Sequence, residues 1–445
     1  MHKIYQDAET QCHIRGWALA DLDLLIICGD FQAYRNALDL NCASVPRRYR
    51  RLVDFPDYYS GKSVAPVLTL VIGGNHEASN YFFELYHGGW LAPNIYYLGA
   101  AGVVRYGPWR IAGLSGIYAS GDYRQPHHER LPYDRDGIKS VYHVREYDVE
   151  KLRRVTGPVD IALSHDWPMW VELFGDRERL YKEKPHFLQS AMGSRLGSVP
   201  GKTLLDHLRP RYWFAGHMHA HFHATVQHKG HQQIDDTIRE LAVSDTLRSK
   251  LPIFKKVTGQ GRMGSVSSST STEFLALSKP GDNTLTYLAL LEIDRPASQD
   301  HDQYLGHEDG ANGKFSLCYD EEWLAIIRSY NDRLLVAHPE TLVIPPAKEV
   351  GKVSSADIAT HREWIQHNVS EKGLLRIPEN FQRHAPVHDE QDGRLVRDEQ
   401  PPEYPNNQTA QLADLLQMTN RLAIDRTDFA NDEGGEVEFT IEWED

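Results

Sequence analysis

The stretch VLTLVIGGNHEASN, residues 67–80, opens as an apolar run and closes on two glycines followed by Asn75, His76 and Glu77. Residues 67–72 are apolar at all but one position, which is the pattern of a strand buried on both faces of a sheet. An amide, whose oxygen binds metals, and an imidazole, which carries protons, therefore follow directly after a buried strand. Side chains at strand ends sit on rigid backbone, as the catalytic groups of α/β proteins do.

Apolar runs of the same kind recur through the first 300 residues and predict further strands, at 24–28, 109–116, 159–165, 211–217 and 285–293. Helical patterns lie between some of these runs, around residues 146–155 and, after Pro200, at 201–208. Strands that alternate with helices predict an α/β fold in which helices cover a sheet or a pair of sheets.

Four of the predicted strands are followed by side chains that bind metals. Carboxylate, amide and imidazole groups form a mixed oxygen and nitrogen set, which suits Mn²⁺, Fe²⁺ or Zn²⁺ rather than a thiolate finger or a calcium cage. Two such ions about 4 Å apart can hold a phosphate and stabilise an in-line displacement. We predict that Asp30 bridges the two ions and that Asn75, His165 and His217 complete one metal position. His219 is predicted to belong to the other position.

His76 is predicted to act as a general acid rather than as a metal ligand. Beside Asn75 its ring can face the leaving oxygen and protonate it, a role worth about 10²–10⁴ in rate. Glu77 is predicted to orient that ring. Asp30, Asn75 and His76 are therefore the candidate catalytic residues.

Composition and charge limit the classes of protein that this chain can represent. No apolar run approaches the ~18–20 residues that span a bilayer, and the four cysteines show no disulfide framework. We therefore expect a soluble, intracellular protein without a membrane partner. The net charge of −14 is concentrated in residues 386–445, which carry 16 acidic and 4 basic residues. The overall acidity therefore does not exclude a nucleic-acid partner.

Composition also predicts the domain boundaries. Residues 1–298 are predicted to form the α/β domain, interrupted by a polar, flexible insertion at 229–271. Residues 299–385 are predicted to form a small, mainly helical domain with its own core. The acidic tail, 386–445, is predicted to be mostly disordered.

The order of the motifs GD (29–30), GNHE (74–77), SHDW (164–167) and GHMH (216–219) resembles that of the calcineurin-like metallophosphoesterases, whose fold is a β-sandwich flanked by helices. Longer stretches narrow the resemblance to the RNA lariat debranching enzyme family. These stretches include CGDFQAYRNALDLNCASVPRRYR, GGWLAPNIYYLGAAGVVRYG, SGIYASGDYRQPHHERLPYDRDGIKSVYHVRE and TEFLALSKP.

The resemblance implies hydrolysis of the 2′,5′-phosphodiester bond at the branch point of excised intron lariats, in the nucleus, with two divalent metal ions. It implies the same metal ligands and the same proton donor as the residues themselves indicate. It also implies that residues 118–143, the recognition loop, recognise the branched RNA, and that Tyr123, Arg124 and Tyr142 stack on bases or pair with phosphate. Arg47 and Arg48, in PRRYRR, are candidate contacts to the RNA backbone, although a solvated basic turn explains this run equally well.

One part of the family's pattern is absent. The family begins with a strand that ends in Cys-x-His-Gly, whereas this sequence opens MHKIYQ. The second metal position is therefore expected to keep only Asp30 and His219, and a neighbouring strand is expected to expose its backbone groups and apolar face. Cys12 and His13 lie in a helix-like stretch and are not expected to replace the missing ligands. We expect that an upstream segment of the natural protein carries the motif.

Two other functions stay open on the sequence alone. A calcineurin-like phosphodiesterase with another substrate would share the metal motifs but not the match through the recognition loop. A catalytically impaired RNA-binding protein would keep the lariat groove but lack one metal position. Metal stoichiometry and cleavage of a branched RNA distinguish both from an active debranching enzyme.

Overall fold

The structure is a computed structural model that describes residues 1–228, 269–281, 286–296, 314–336, 353–389 and 399–423. Most of the predicted insertion and the boundary at residue 298 lie outside these ranges. The strands within them are β1 Leu25–Cys28, β2 Thr69–Ile72, β3 Gly89–Ala92, β4 Ile95–Tyr97, β5 Ala101–Tyr106, β6 Trp109–Leu114, β7 Ile161–Ser164, β8 Tyr212–Ala215, β9 Phe222–Gln227, β10 Ser271–Ala276 and β11 Leu317–Tyr319.

The α-helices in the same ranges are α1 His2–Ile14, α2 Phe55–Ser60, α3 Ser79–Glu84, α4 Gly137–Ser140, α5 Glu146–Leu152, α6 Arg177–Glu183, α7 Pro185–Met192, α8 Val199–Leu208, α9 Glu321–Tyr330, α10 Ser355–Ile365 and α11 Asn407–Leu415. The helices predicted at 146–155 and 201–208 are confirmed as α5 and α8. Helix α8 begins two residues early because the Ser198 side chain caps it by accepting the Gly201 N–H. No helix among the described residues is long and apolar enough to cross a membrane.

The strands form two sheets that pack face to face. The first has the order β1-β2-β4-β3, and β1, β2 and β4 run parallel. The second has the order β11-β5-β6-β7-β8-β10-β9, and β6, β7, β8 and β10 run parallel. Inward-facing side chains such as Ile72, Ile111 and Leu163 share one core between the sheets. The predicted β-sandwich is confirmed.

Helices cover the outer faces of both sheets. Tyr5 of α1 and Tyr58 of α2 pack over the first sheet, while Val149 of α5 and Leu204 of α8 pack over the second. Both faces of the central strands are therefore buried, which explains why their sequences are apolar throughout rather than alternating.

The described residues after 300 pack into the apolar clusters of the two sheets rather than into a separate one, which differs from the core of its own that was predicted for 299–385. Strand β11 pairs with β5 and extends the second sheet. Trp323 and Leu324 of α9 belong to the same apolar cluster as β5, β6 and α5. Arg110 of β6 also pairs with Asp320 at 2.6 Å and with Glu322 at 2.8 Å, all three side chains being buried. The apolar periodicity of a helix predicts that one of its faces is buried, but it does not predict which surface of the protein that face packs against.

Part of the acidic tail is also ordered. Residues 399–423 include helix α11, whose Leu412 is buried and whose Gln408 bonds to Trp90 of β3. The prediction of a disordered tail is wrong for this segment because polar side chains dock it onto distant backbone. The composition of a segment shows that its side chains are polar, but not which groups elsewhere in the chain they form hydrogen bonds with.

The strand predicted at 285–293 does not form among its described residues, 286–293. A cavity of about 830 Å³ separates this run from β1, whose four residues are only half-buried at the edge of the first sheet. An apolar run becomes a strand only when a partner edge lies at ladder distance.

Candidate active site

Four of the five predicted metal ligands come together between the two sheets, at the carboxyl ends of their parallel strands. The Asn75 Oδ1 atom lies 3.1 Å from His165 Nε2 and 3.1 Å from His217 Nδ1. The Asp30 Oδ1 atom lies 3.4 Å from the same His165 nitrogen. Four side chains from loops that are far apart in the sequence therefore converge on one point.

The convergent atoms of His165, Asn75 and Asp30 are electron-pair donors. The Nδ1 atom of His165 lies 2.6 Å from the carbonyl oxygen of Cys28, which can only accept a hydrogen bond, so Nδ1 carries the ring proton. In the neutral ring, the lone pair of Nε2 then faces the oxygens of Asn75 and Asp30. Lone pairs that face one another repel unless a cation lies between them, so this set fits a divalent metal ion.

The charge states that the surroundings of these side chains favour are also those of metal ligands. Burial and the neighbouring His165 lower the pKa of His217 to about 4, and burial lowers the pKa of His219. Burial alone would raise the pKa of Asp30, but His165, His76 and His217 outweigh it, and the pKa is lowered. Neutral imidazoles and an ionised carboxylate are therefore present at neutral pH.

Backbone strain marks the same residues. Asp30, His217 and His219 have φ angles of 53°, 62° and 49°, in the left-handed region that residues other than glycine rarely adopt. Such strain persists only where the surrounding structure imposes it, and it concentrates at functional sites. The loops also approach closely, since a Cβ atom at Gly74 would lie 2.3 Å from Asp30 Oδ1.

His76 lies beside this centre and is held by a residue that the sequence did not indicate. Its Nδ1 atom is 3.2 Å from the Ser44 carbonyl oxygen, which fixes the ring and leaves Nε2 for proton exchange. Asn75 Nδ2 lies 3.3 Å from that Nε2 atom. The backbone N–H groups of Asn75 and His76 both donate to Asp30 Oδ1 at 3.0 Å. The arrangement agrees with a proton donor next to a metal position.

Glu77 does not orient the His76 ring, and that prediction is wrong. Its buried carboxylate accepts the backbone N–H groups of Phe31 at 2.9 Å, Gln32 at 2.7 Å and Gly74 at 2.8 Å. Burial and the charge of Asp30 raise its pKa to about 7. Glu77 therefore joins the loop that carries Asp30 to the loop that carries Asn75 and His76.

The fifth predicted ligand is His219. It lines the cavity beside β1, together with Asp30, His165 and His217. Among the described residues, no group of three or more histidine, cysteine, aspartate or glutamate side chains has a geometry that holds a metal. The centre therefore depends on the amide oxygen of Asn75. Cys12 and His13 lie in α1, with Cys12 fully buried, as expected for residues outside the site.

The recognition loop is attached to the strand that carries Asn75. Its ends meet where Ile117 pairs with His143, and the Gly116 N–H donates to Gly73 O at 2.8 Å. Near the second end, Tyr142 Oη donates to Ser44 Oγ at 3.2 Å. Since the Ser44 carbonyl contacts His76, the loop and the proton donor share a support.

The candidate RNA contacts differ in exposure. Arg47, Arg48 and Arg124 are exposed, whereas Tyr123 and Tyr142 are half-buried, Tyr123 against Tyr118 and the core of the second sheet. Their contacts with RNA stay predictions. Tyr49, at 61% exposure and with the Arg48 guanidinium 5.0 Å from its ring, is a further candidate that the sequence analysis missed. Its place within PRRYRR was the available signal.

Comparisons with known proteins agree with this geometry. The calcineurin-like phosphoesterase family model matches residues 5–221, and the model described as lariat debranching enzyme, C-terminal domain, matches residues 269–421. The second match starts before and ends after the boundaries of 299–385 that composition predicted.

Proteins named lariat debranching enzyme from a plant, an insect and a yeast are similar to this chain. The lariat debranching enzyme of Arabidopsis thaliana is 41% identical over 89% of this chain and 79% of the relative. The one from Drosophila melanogaster is 39% identical over 87% of this chain and 70% of the relative. The one from Schizosaccharomyces pombe is 35% identical over 90% of this chain and 91% of the relative.

Proposed function

The chain belongs to the lariat debranching enzyme family, and from this premise we propose that it hydrolyses the 2′,5′-phosphodiester bond at the branch point of intron lariat RNA. The observation that carries the proposal is the convergence of Asp30, Asn75, His165 and His217 beside His76. A metal-dependent phosphodiesterase needs such a centre, and a binding protein does not.

The residues of the chain divide the chemistry among them. Asp30, Asn75, His165 and His217 would hold a divalent ion, which when bound polarises the phosphoryl group. His76, oriented by the Ser44 carbonyl, donates a proton from Nε2 to the leaving oxygen as its bond to phosphorus breaks. Glu77 keeps the two loops at the distance that this transfer requires.

The metallophosphoesterase family uses divalent metals. We propose two ions per active site, drawn from Fe²⁺, Zn²⁺ or Mn²⁺, because the ligands combine imidazole nitrogen with carboxylate and amide oxygen. Asp30 would contact both ions, and His219 would belong to the second. Branched intron RNA is the proposed partner, and the nucleus, where introns are excised, is the proposed location. Imaging of the tagged chain in intact cells tests the location.

The test of the activity is cleavage of a short branched RNA that contains one 2′,5′ linkage. A linear 3′,5′ RNA and a chromogenic phosphodiester serve as comparison substrates, each with added Mn²⁺ and with a chelator. We expect metal-dependent cleavage of the branch and little cleavage of the linear RNA. Cleavage of the chromogenic ester alone would favour a phosphodiesterase of other specificity. Tight RNA binding without cleavage, at fewer than two metals per chain, would favour the impaired binder.

A further inference from the structure

Residues 399–404, which we call the strap, lie against the middle of the recognition loop. The Tyr133 N–H donates to Gln400 Oε1 at 2.7 Å, and Gln400 Nε2 donates to Tyr133 O at 2.7 Å. One glutamine side chain thus satisfies both backbone groups of a loop residue, as a neighbouring strand would. The residues are separated by 267 positions in the sequence.

A second residue of the strap bonds to the same part of the loop. The Glu403 carboxylate accepts a hydrogen bond from Arg130 Nη2 at 2.5 Å and one from the Leu131 N–H at 3.3 Å. The strap itself is tied to the loop that leads to Ser44, because Asn41 Nδ2 donates to the Glu399 carbonyl at 2.9 Å. The strap therefore joins the recognition loop to the loop that orients His76.

Packing continues this connection towards the catalytic centre. Tyr133 is buried in a small apolar cluster with Cys42, Ile138 and Val141, and the ring of Tyr142 packs against it. The Tyr142 hydroxyl bonds to Ser44, whose carbonyl lies against His76. A displacement of Tyr133 would therefore move side chains that border the proton donor.

We propose that Gln400 and Glu403 are positioning residues for branched RNA, because they hold the recognition loop in the conformation that presents its side chains to the substrate. The inference rests on the proposed function, since it assigns the loop to RNA. Loops that position a substrate act through small distances, and a displacement of about 1 Å can lower a rate by about 10²-fold. Neither residue touches the reacting atoms.

The chain supplies a matched control. Gln408 makes the same pair of bonds with Trp90 of β3, accepting the Trp90 N–H at 2.7 Å and donating to Trp90 O at 2.9 Å. Gln408→Ala therefore removes the same pair of side chain–backbone bonds as Gln400→Ala, but from a strand rather than from the recognition loop. Gln400 Oε1 also accepts one weaker bond, from the Cys42 thiol at 3.8 Å. A purely structural role for Gln400 predicts that the two variants behave alike.

The experiment measures kcat/KM of the full-length protein on the branched RNA and on the chromogenic phosphodiester. We expect Gln400→Ala to lower the ratio of the two values about 10- to 100-fold, mainly through KM for the RNA. Gln408→Ala should change the ratio less than twofold. Glu403→Arg should lower the ratio as well, and adding Arg130→Glu to it should restore much of the loss. Equal ratios in Gln400→Ala and Gln408→Ala would overturn the proposal.

Hydrogen exchange separates this proposal from the proposed function. Gln400→Ala should speed exchange of the Tyr133 amide and its neighbours in the recognition loop, whereas Gln408→Ala should speed exchange only near Trp90. If the wild-type protein does not cleave branched RNA, the proposed function fails, and the exchange result still decides whether the strap holds the loop. Unchanged exchange in the loop of Gln400→Ala would overturn that claim.

Discussion

The catalytic centre and the recognition loop are held in different ways. The centre is built from residues that directly follow strands, so rigid backbone brings Asp30 and Asn75 together. The recognition loop is joined to the strands only at its ends, and side chains from the strap and from α5 hold its middle. A change at the centre should therefore affect every phosphodiester, whereas a change at the loop should affect branched RNA selectively.

His76→Gln should have the largest effect, because it removes the proton donor but not the fold. We expect kcat on branched RNA to fall about 10²–10⁴-fold while the affinity for the RNA is retained. Single-turnover kinetics and a binding assay with the same RNA measure the two quantities. Asn75→Ala should also lower the rate of cleavage, with weaker metal binding. A His76→Gln protein that cleaved at the wild-type rate would remove His76 from the mechanism.

Glu77→Gln should have the next largest effect, and it should be the same on both substrates. A glutamine nitrogen cannot accept a hydrogen bond, so at least one of the backbone N–H groups of Phe31, Gln32 and Gly74 loses its partner. A buried donor left unpaired costs about 1–3 kcal/mol. We expect kcat/KM to fall for branched RNA and for the chromogenic ester in parallel.

The control for that experiment is Glu172→Gln. Glu172 is buried, and burial raises its pKa to about 7, as for Glu77, but it lies on a short helix outside the site. Activity of Glu172→Gln should stay close to wild type. If Glu77→Gln changed only the preference between the two substrates, it would contradict the assignment of non-selective effects to the catalytic centre and of selective effects to the recognition loop.

His127 stabilises the recognition loop through ionic interactions that depend on pH. It is buried, with its ring nitrogens 3.5 Å from Glu129 and 3.6 Å from Asp148. Burial and Arg145 lower its pKa, but Asp148 and Glu129 outweigh them, and the pKa is raised. The stabilisation from the charged ring is therefore fully present below its unfolded pKa of about 6.5. It is lost as the pH rises through the raised folded value.

His127→Gln should consequently lower the free energy of unfolding by about 1–2 kcal/mol at pH 6 and by less at pH 9. The other charged groups at the site are Arg145, which pairs with Glu129, and Lys151, which pairs with Asp148. Urea titrations at the two pH values measure the difference. His128→Gln, the same change at the half-buried neighbour, is the control. A difference for His127→Gln that grew with pH would contradict the assignment.

Tyr142→Phe should have the smallest effect. It removes one hydrogen bond, of 3.2 Å, to Ser44, and a bond of this kind contributes about 0.5–1.5 kcal/mol. We expect kcat/KM on branched RNA to fall about 2- to 10-fold, since 1.4 kcal/mol corresponds to a factor of ten. Tyr106→Phe, which removes a 3.2 Å bond to the Asp23 carbonyl inside the sandwich, is the control. If Tyr106→Phe lowered kcat/KM on branched RNA more than Tyr142→Phe did, the Tyr142–Ser44 hydrogen bond would have no specific role in acting on this substrate.

The sequence predicted which side chains meet at the carboxyl ends of the strands, because that information is local. Apolar runs predicted β1, β2, β7 and β8, and the polar residue after each run predicted a ligand. Parallel strands place their carboxyl ends along one edge. The structure accordingly brings Asp30, Asn75, His165 and His217 together, while the place of His219 at the second metal position stays a prediction.

The failures concern partners that are distant in the chain. The run at 285–293 was apolar enough for a strand, but no partner edge lies against its described part. The role of Glu77 was misassigned because a carboxylate does not reveal whether it meets a ring or backbone amides. The strap was assigned to a mostly disordered tail because the hydrogen bonds of Gln400 with Tyr133 and of Glu403 with Arg130 join residues that are far apart in the sequence.

The sequence by itself determined the class of fold and the side chains that meet at the strand ends, whose roles as metal ligands and proton donor stay predictions. Each of these depends on residue types and on spacings of a few positions, and both can be read directly from the sequence. Only the tertiary structure decided that α9 completes the main core, that Glu77 joins two catalytic loops and that the strap holds the recognition loop. These features depend on which of many possible polar and apolar partners meet, and that choice is made by the packing of the whole chain rather than by any segment of it.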